Sequence, residues 1–147
     1  MGRKGKRRKR AVRTPIATAL ADADLKFSFK FLDLAHRKFR IDNCDTEFWL
    51  ALLDRLREVN GMSLADFQAN HPMDDLNSHA IEFEDTTEPQ GFAHLNEQLA
   101  TAQPWQFALS ARTDAGRVHG ILVEDTFFIV WIDARHELYN RAERAGV

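Results

Sequence analysis

Three consecutive apolar segments separated by short turns occupy the C-terminal third of the chain, and they constrain its fold most. The segments are WQFALSA, RVHGILV and TFFIVWID. The turn sequences TDAG and ED separate them. β-Branched and aromatic residues at this spacing are typical of an antiparallel β-meander. We therefore predict strands over residues 105–111, 117–123 and 126–133.

Strand-like and helix-like patterns alternate upstream of the meander. In KFSFKFLDL three phenylalanines alternate with polar residues, which predicts a half-buried strand with Phe27, Phe29 and Phe31 on one face. A second, short strand is predicted in SHAIEFED. Apolar residues at three- and four-residue spacing indicate amphipathic helices. The predicted helices cover residues 45–61, 63–70, 92–99 and, after the meander, 134–145.

This order of elements predicts the fold class. The sequence β-α-α-β-α-β-β-β-(α) is typical of an α+β domain with a mainly antiparallel sheet. The last three strands form the C-terminal meander, and the helices are expected to pack on one face of the sheet.

Charge is segregated along the chain. The first 13 residues contain eight basic residues and no acidic one, which leaves 12 of the 20 basic residues against all 22 acidic ones. A block of like charge does not fold alone and commonly serves as an interaction tail. We predict a basic flexible tail and linker over 1–24 and one α+β domain over 25–147. The tail residues predicted to bind nucleic acid are Arg3, Lys4, Lys6, Arg7, Arg8, Lys9, Arg10 and Arg13.

Other partners of the tail remain open at this point. DNA, an anionic lipid surface or an acidic protein would also attract it. Alternatively, the tail would contact its own acidic domain or aid solubility.

Composition restricts the cellular location and the kinds of site that we expect. No apolar run is long enough to span a bilayer, and no signal peptide is visible, so we expect no membrane association. The single cysteine, Cys44, excludes an intramolecular disulfide and fits a cytoplasmic location. Asp133 and His136 have a spacing found in metal sites, but two ligands are too few. We therefore predict no metal and no cofactor.

The two turns predict the register of the meander. With two central residues in each turn, the aligned side chains fall on one almost wholly apolar face. We expect helices to cover this face, with Trp131 buried on it beside Val118 and Ala111. The predicted cross-strand sets are Phe107 with Leu122 and Phe127, Leu109 with Gly120 and Ile129, and Ala111 with Val118 and Trp131.

Polar side chains gather at one end of the opposite face. Ser110, Arg112, Arg117 and His119 converge there in the predicted register, and His136 would point to the same side. We expect this face to be open, because a phosphate cannot reach arginines that lie beneath a helix.

These residue types suit metal-independent RNA cleavage. The reaction needs a general base, a general acid and cations for the phosphorane charge. His119 and His136 would be acid and base, Arg117 and Arg112 would hold the phosphate, and Tyr139 would donate a proton or stack on a base. The alternative is structural: His119 bonds within the sheet and the arginines pair with carboxylates.

The segments WQFALS, GRVHGILVEDTFFIVWID and HELY resemble the arginine-bearing strand, hairpin and terminal His/Tyr motif of the RelE/ParE-like toxin superfamily of bacterial toxin–antitoxin systems. This resemblance implies a free or ribosome-associated endoribonuclease, or an inhibitor of DNA gyrase, that an antitoxin neutralises. It implies that Arg117 contacts phosphate and that His136 and Tyr139 lie in the catalytic region. The folded part is more acidic than is usual in that superfamily, and the segment from His79 to Leu99 is extra.

Two functions of different classes follow. The first is a small bacterial RelE-like toxin that acts on RNA or the ribosome as an endoribonuclease, with a possible antitoxin partner. The alternative is a non-enzymatic module that binds nucleic acid or protein through its basic tail. The sequence does not indicate the oligomeric state.

Overall fold

The computed structural model describes residues 15–69, 74–112 and 115–139. The predicted α+β class is confirmed by a five-stranded mixed sheet and four α-helices. The helices are α1 (Pro15–Asp22), α2 (Thr46–Asn60), α3 (Leu64–Gln68) and α4 (Glu97–Ala100). The strands are β1 (Lys26–Ser28), β2 (His79–Ala80), β3 (Pro104–Ala108), β4 (Arg117–Val123) and β5 (Thr126–Asp133). Two short 3₁₀ helices lie at Asp74–Leu76 and Phe83–Asp85.

The strand order in the sheet is β1-β5-β4-β3-β2. The meander of β3, β4 and β5 is antiparallel, as predicted, and β2 adds an antiparallel edge. β1 pairs in parallel with β5, so the first and last strands of the chain are neighbours. Residues 1–14 of the predicted tail and linker over 1–24 lie outside the described residues. The prediction of a flexible linker is wrong for Pro15–Asp22, which forms α1.

The two helices predicted after β1 are present, and each begins directly after its predicted N-cap residue. The side chain of Asp45 accepts a hydrogen bond from the N–H of Phe48 and begins α2, which ends before Gly61. Ser63 caps α3 in the same way through the N–H of Asp66. Both helices bury their apolar stripes against one face of the sheet, which confirms the predicted helix-covered face.

Two apolar cores sandwich the sheet. The helix-side core is built from α2, α3 and the strands, and its buried members include Leu52, Leu56, Val59, Phe67, Phe107, Val118, Phe127 and Ile129. The loop-side core lies on the other face, where loops and short helices cover the sheet. Its buried members are Phe39, Ile81, Phe92, Ile121, Val130, Trp131 and Leu138.

Several predicted elements are shorter than expected. The strand predicted in SHAIEFED is reduced to β2, with a 3₁₀ helix at Phe83–Asp85, and the strand predicted over 105–111 ends at Ala108. The strand predicted in KFSFKFLDL ends at Ser28, because Phe31 turns to pack on Phe128 in the loop-side core. The helix predicted from 92 is present only over α4, since the Phe92 ring is held against Trp131. The helix predicted over 134–145 is absent from 134–139, which form turns and bends, and its remainder lies outside the described residues.

A β-bulge changes the predicted register between β4 and β5. Gly120 lies opposite Ile129 and His119 lies opposite Trp131, so Val130 is an extra residue on β5. Trp131 is buried, as predicted, but on the loop-side face beside His119; the prediction that it lies with Val118 is wrong. A Cβ atom at position 120 would lie 2.1 Å from the Phe128 carbonyl oxygen, so this close approach requires glycine.

The register between β3 and β4 is shifted by an even number of residues. Phe107 lies opposite Val118 rather than Leu122. The N–H of Leu109 bonds to the carbonyl of Gly116, so the connection is a longer loop than the predicted two-residue turn. An even shift leaves every side chain of β3 on its predicted face.

Candidate functional site

Four of the predicted site residues meet at one end of the loop-side face. Arg117 is 3 % exposed, His119 is 0 % exposed and His136 is 4 % exposed. Tyr139 is half-buried, and its ring contacts the rings of His79 and His136. The prediction that this face is open is wrong, because the loop-side core and the chain after β5 cover it.

The centre of this buried cluster is a histidine–aspartate pair. The Nε2 atom of His119 lies 3.5 Å from the Oδ2 atom of Asp133, and both side chains are fully buried. Although this distance is within ion-pair range, neither ring nitrogen of His119 has a hydrogen-bond partner among the described residues. Arg117 lies beside the pair and donates hydrogen bonds to the backbone carbonyls of Ala115 and Gly116.

Burial dominates the ionisation of this pair. Desolvation lowers the pKa of the His119 imidazole well below its usual value, and the positive charges of His136 and Arg117 act in the same direction. Burial raises the pKa of the Asp133 carboxyl group to about 6, although two backbone N–H groups favour its ionised form. At neutral pH the pair therefore consists of a neutral imidazole and a carboxylate.

The cluster is closed to a substrate in this structure. A general acid or base must lie within hydrogen-bond reach of the reacting atom, and no external phosphate reaches a ring with 0 % exposure. Arg112, the remaining predicted phosphate ligand, is exposed in the loop between β3 and β4. The predicted tail ligands, from Arg3 to Arg13, lie outside the described part of the chain.

A basic pocket opens next to the buried cluster. Its volume is about 480 Å³. It lies between the loop that precedes α2 and the turn that follows β5. The lining residues are Arg37, Lys38, Arg40, Asn43, Cys44 and Asp45 from the loop, Phe48 from the first turn of α2, and Ala134, Arg135 and Glu137 from the turn after β5.

Four cations and two anions line this pocket. Lys38 is bound to Glu88 at 2.7 Å, whereas Arg40 pairs with Asp42 at 2.8 Å on the exposed surface. Exposed ion pairs of this kind contribute little, so Arg40 can exchange its partner for a phosphate. Arg37 is exposed and makes no ion pair within the described ranges.

The two walls of the pocket are joined by a bridge at Thr87 and Glu88. The Thr87 N–H donates to the carbonyl of Leu138 at 2.7 Å, next to the β5 turn. Glu88 accepts hydrogen bonds from His36 and Lys38 on the other wall at 2.8 and 2.7 Å. Burial opposes the ionisation of Glu88, but these two bonds outweigh it and lower its pKa. The bridge therefore links the two segments that line the pocket.

Cys44 lies in this pocket as the single cysteine of the chain. Desolvation raises the pKa of its thiol, while the guanidinium of Arg135 opposes that shift from across the pocket. The thiol is therefore largely protonated at neutral pH.

Sequence reasoning missed this pocket, although a signal was present. HRKFR, residues 36–40, is a basic cluster outside the tail, in a domain that is otherwise acidic. It falls in a segment with no helical or strand period. Only the fold shows that Arg135, about a hundred residues later, faces it.

Neither a metal site nor a membrane span is found within the described ranges. They hold no group of three or more His, Cys, Asp or Glu side chains placed to bind a metal ion. Their helices lack the length and hydropathy needed to cross a bilayer. Comparison of the chain with protein-family models, with curated proteins and with solved structures found no match.

Proposed function

We propose that this chain is an RNA-binding protein whose basic pocket binds the phosphate backbone of a single strand. The observation that carries the proposal is the pocket itself, in which Arg37, Lys38, Arg40 and Arg135 surround about 480 Å³. Guanidinium groups are well suited to this role, because their planar fork donates two hydrogen bonds to one phosphate. The basic N-terminal tail would supply further, non-specific phosphate contacts.

An aromatic ring adds to this arrangement. Phe48 lines the pocket and is half-buried, with its ring against that of Trp49. Proteins that bind single strands combine a basic groove with aromatic side chains on which bases stack. We therefore favour a single strand over a duplex, whose bases would not reach the ring.

The pocket supports binding rather than catalysis. The predicted acid–base residues, His119 and His136, are buried, and neither lines the pocket. The endoribonuclease activity implied by the RelE/ParE-like resemblance stays a prediction. So do a ribosomal target, an antitoxin partner and a cytoplasmic location, all of which are compatible with RNA binding.

A charge-reversal experiment tests the proposal. We expect the double variant Arg37→Glu/Arg40→Glu of the full chain to bind a fluorescein-labelled 12-nucleotide oligouridylate about tenfold or more weakly, the scale of lost charge-assisted contacts. The slope of log Kd against log salt should fall by about 1.4, because roughly 0.7 is expected per contact on a single strand. An oligothymidylate of equal length measures the preference for RNA.

The matched control is Lys26→Glu/Arg57→Glu. Both residues are exposed, and both lie outside the pocket. This variant changes the net charge by the same amount, so equal losses of affinity in the two variants would refute a specific role of the pocket.

A further inference from the structure

The turn that follows β5 is held by two hydrogen bonds to the buried carboxylate of Asp133. The Oδ1 atom of Asp133 accepts a hydrogen bond from the backbone N–H of Glu137 at 2.7 Å, and Oδ2 accepts one from that of Leu138 at 2.9 Å. His136, within the turn, has a φ of 55°, a conformation that residues other than glycine rarely adopt. The turn therefore depends on the Asp133 side chain for its shape.

The same turn forms one wall of the basic pocket. Ala134, Arg135 and Glu137 line that wall, whereas Asp133 lies behind it with 0 % exposure. Arg135 is exposed and lines the pocket together with Cys44, and its charge opposes the rise in the pKa of that thiol. The backbone position of Arg135 is thus set by a turn whose anchor does not line the pocket.

We propose that Asp133 is a positioning residue that holds Arg135 in the phosphate-binding arrangement of the pocket, and that protonation of Asp133 releases this arrangement. This inference rests on the RNA-binding role proposed above. An ionised carboxylate accepts both backbone N–H groups, but a protonated one turns one of its oxygens into a donor. One of the two anchoring hydrogen bonds is then lost. Burial raises the pKa of Asp133 to about 6, so a mildly acidic pH is sufficient to protonate it.

Histidine titration would produce the opposite pH dependence. Protonation of histidines near the pocket adds positive charge, which by itself strengthens the binding of RNA. A loss of affinity toward acid pH is therefore a signature of Asp133. The charged and titratable groups around Asp133 and His119 are Arg117 of β4, His136 and Glu137 of the turn, His79 of β2 and His36 of the loop before α2.

The isosteric variant Asp133→Asn mimics the protonated state. We expect it to bind the labelled oligouridylate about tenfold more weakly than the wild type at pH 7.5, the scale of one lost hydrogen bond. At pH 5.0 the ratio of the two Kd values should approach one, because the wild-type carboxylate is then largely protonated. The thermal midpoint of each variant is measured alongside.

Asp33→Asn is the matched control. Asp33 also accepts a backbone N–H, that of Ala35, and the indole N–H of Trp131, but it does not line the pocket. Its substitution should leave Kd within about twofold of the wild type at both pH values, even if the thermal midpoint falls. An equal loss of affinity in both variants would show that Asp133 acts only through stability.

Arg135→Gln provides a test that does not depend on how Asp133→Asn folds. If Asp133 acts through Arg135, this variant should bind weakly with no loss of affinity between pH 7.5 and 5.0. A wild-type pH profile retained in Arg135→Gln, or full affinity of folded Asp133→Asn at pH 7.5, would overturn the inference. The proposed function would survive that result if Arg37→Glu/Arg40→Glu loses binding, and a wild type that binds no RNA would refute both.

Discussion

The Nε2 atom of His119 and the Oδ2 atom of Asp133 lie 3.5 Å apart where neither side chain reaches solvent. Their ionisation has opposite effects on stability. Because burial lowers the pKa of His119, the unfolded chain binds a proton at this residue more readily than the folded chain does. Below pH 6.5 the free energy of unfolding therefore decreases as the pH decreases. Because burial raises the pKa of Asp133 from 3.8 to about 6, the folded chain binds that proton first, and stability rises as pH falls between these values.

Removal of the imidazole should therefore change the pH dependence of unfolding. His119→Leu has a similar volume and leaves no buried nitrogen without a partner. We expect its free energy of unfolding to equal or exceed that of the wild type at pH 7.5. Its advantage should grow by about 2 kcal/mol at pH 5, since each pH unit below 6.5 costs the wild type about 1.4 kcal/mol. Urea unfolding at both pH values measures this, and a constant difference would contradict it.

Because of the bulge, we expect that a side chain larger than hydrogen is not tolerated at Gly120. Gly120→Ala should lower the free energy of unfolding by about 3 kcal/mol, because the new Cβ meets the Phe128 carbonyl at 2.1 Å and backbone must move. Gly61→Ala is the control, since its Cβ would lie 3.6 Å from the nearest atom with an ordinary φ of −88°. Equal tolerance at the two positions in a denaturation experiment would contradict the close approach of β5 to Gly120.

Trp131 should be the most sensitive apolar position of the loop-side core. Its indole N–H bonds to Asp33 at 3.2 Å, and its ring packs against Phe39 and Phe92 at centroid distances of 4.8 Å. We expect Trp131→Ala to cost about 3–5 kcal/mol. Leu53→Ala, at a position that is 60 % exposed, should cost less than about 0.5 kcal/mol. A small loss at Trp131 would count against the packing of this core.

The basic tail should contribute to binding without contributing to stability. Deletion of residues 1–13 removes eight basic residues and no acidic one. We expect the thermal midpoint to change little and most of the salt-sensitive RNA affinity to be lost, because those contacts are electrostatic. A large fall of the thermal midpoint would show that the tail packs against the domain.

The sequence was sufficient to predict the elements whose signals are local. Periodicity and the caps Asp45 and Ser63 placed α2 and α3, and the alternation of apolar residues placed the three strands of the meander. It was not sufficient to predict the parallel pairing of β1 with β5, because that contact joins the two ends of the domain.

The errors at the predicted site have two physical origins. Strict alternation of side chains along β5 predicted that Trp131 and His119 lie on opposite faces of the sheet. Because Val130 is an extra residue in β5, the two side chains lie on the same face. Gly120 was the sequence signal for this bulge, because a glycine in the interior of a strand often marks one. The expectation of an open face failed because the loop-side core is built from loops, and loops carry no period that would indicate burial.

The reactivity of Cys44 tests the central claim most directly. It is the single cysteine of the chain and it lines the basic pocket, so the unmodified protein reports on that pocket alone. We predict that a saturating 12-nucleotide oligouridylate slows the alkylation of Cys44 by iodoacetamide about tenfold at pH 7.5, and that Arg37→Glu/Arg40→Glu loses this protection at the same RNA concentration. RNA that binds the wild type and leaves the rate of Cys44 alkylation unchanged would contradict the account, because the strand would then lie elsewhere.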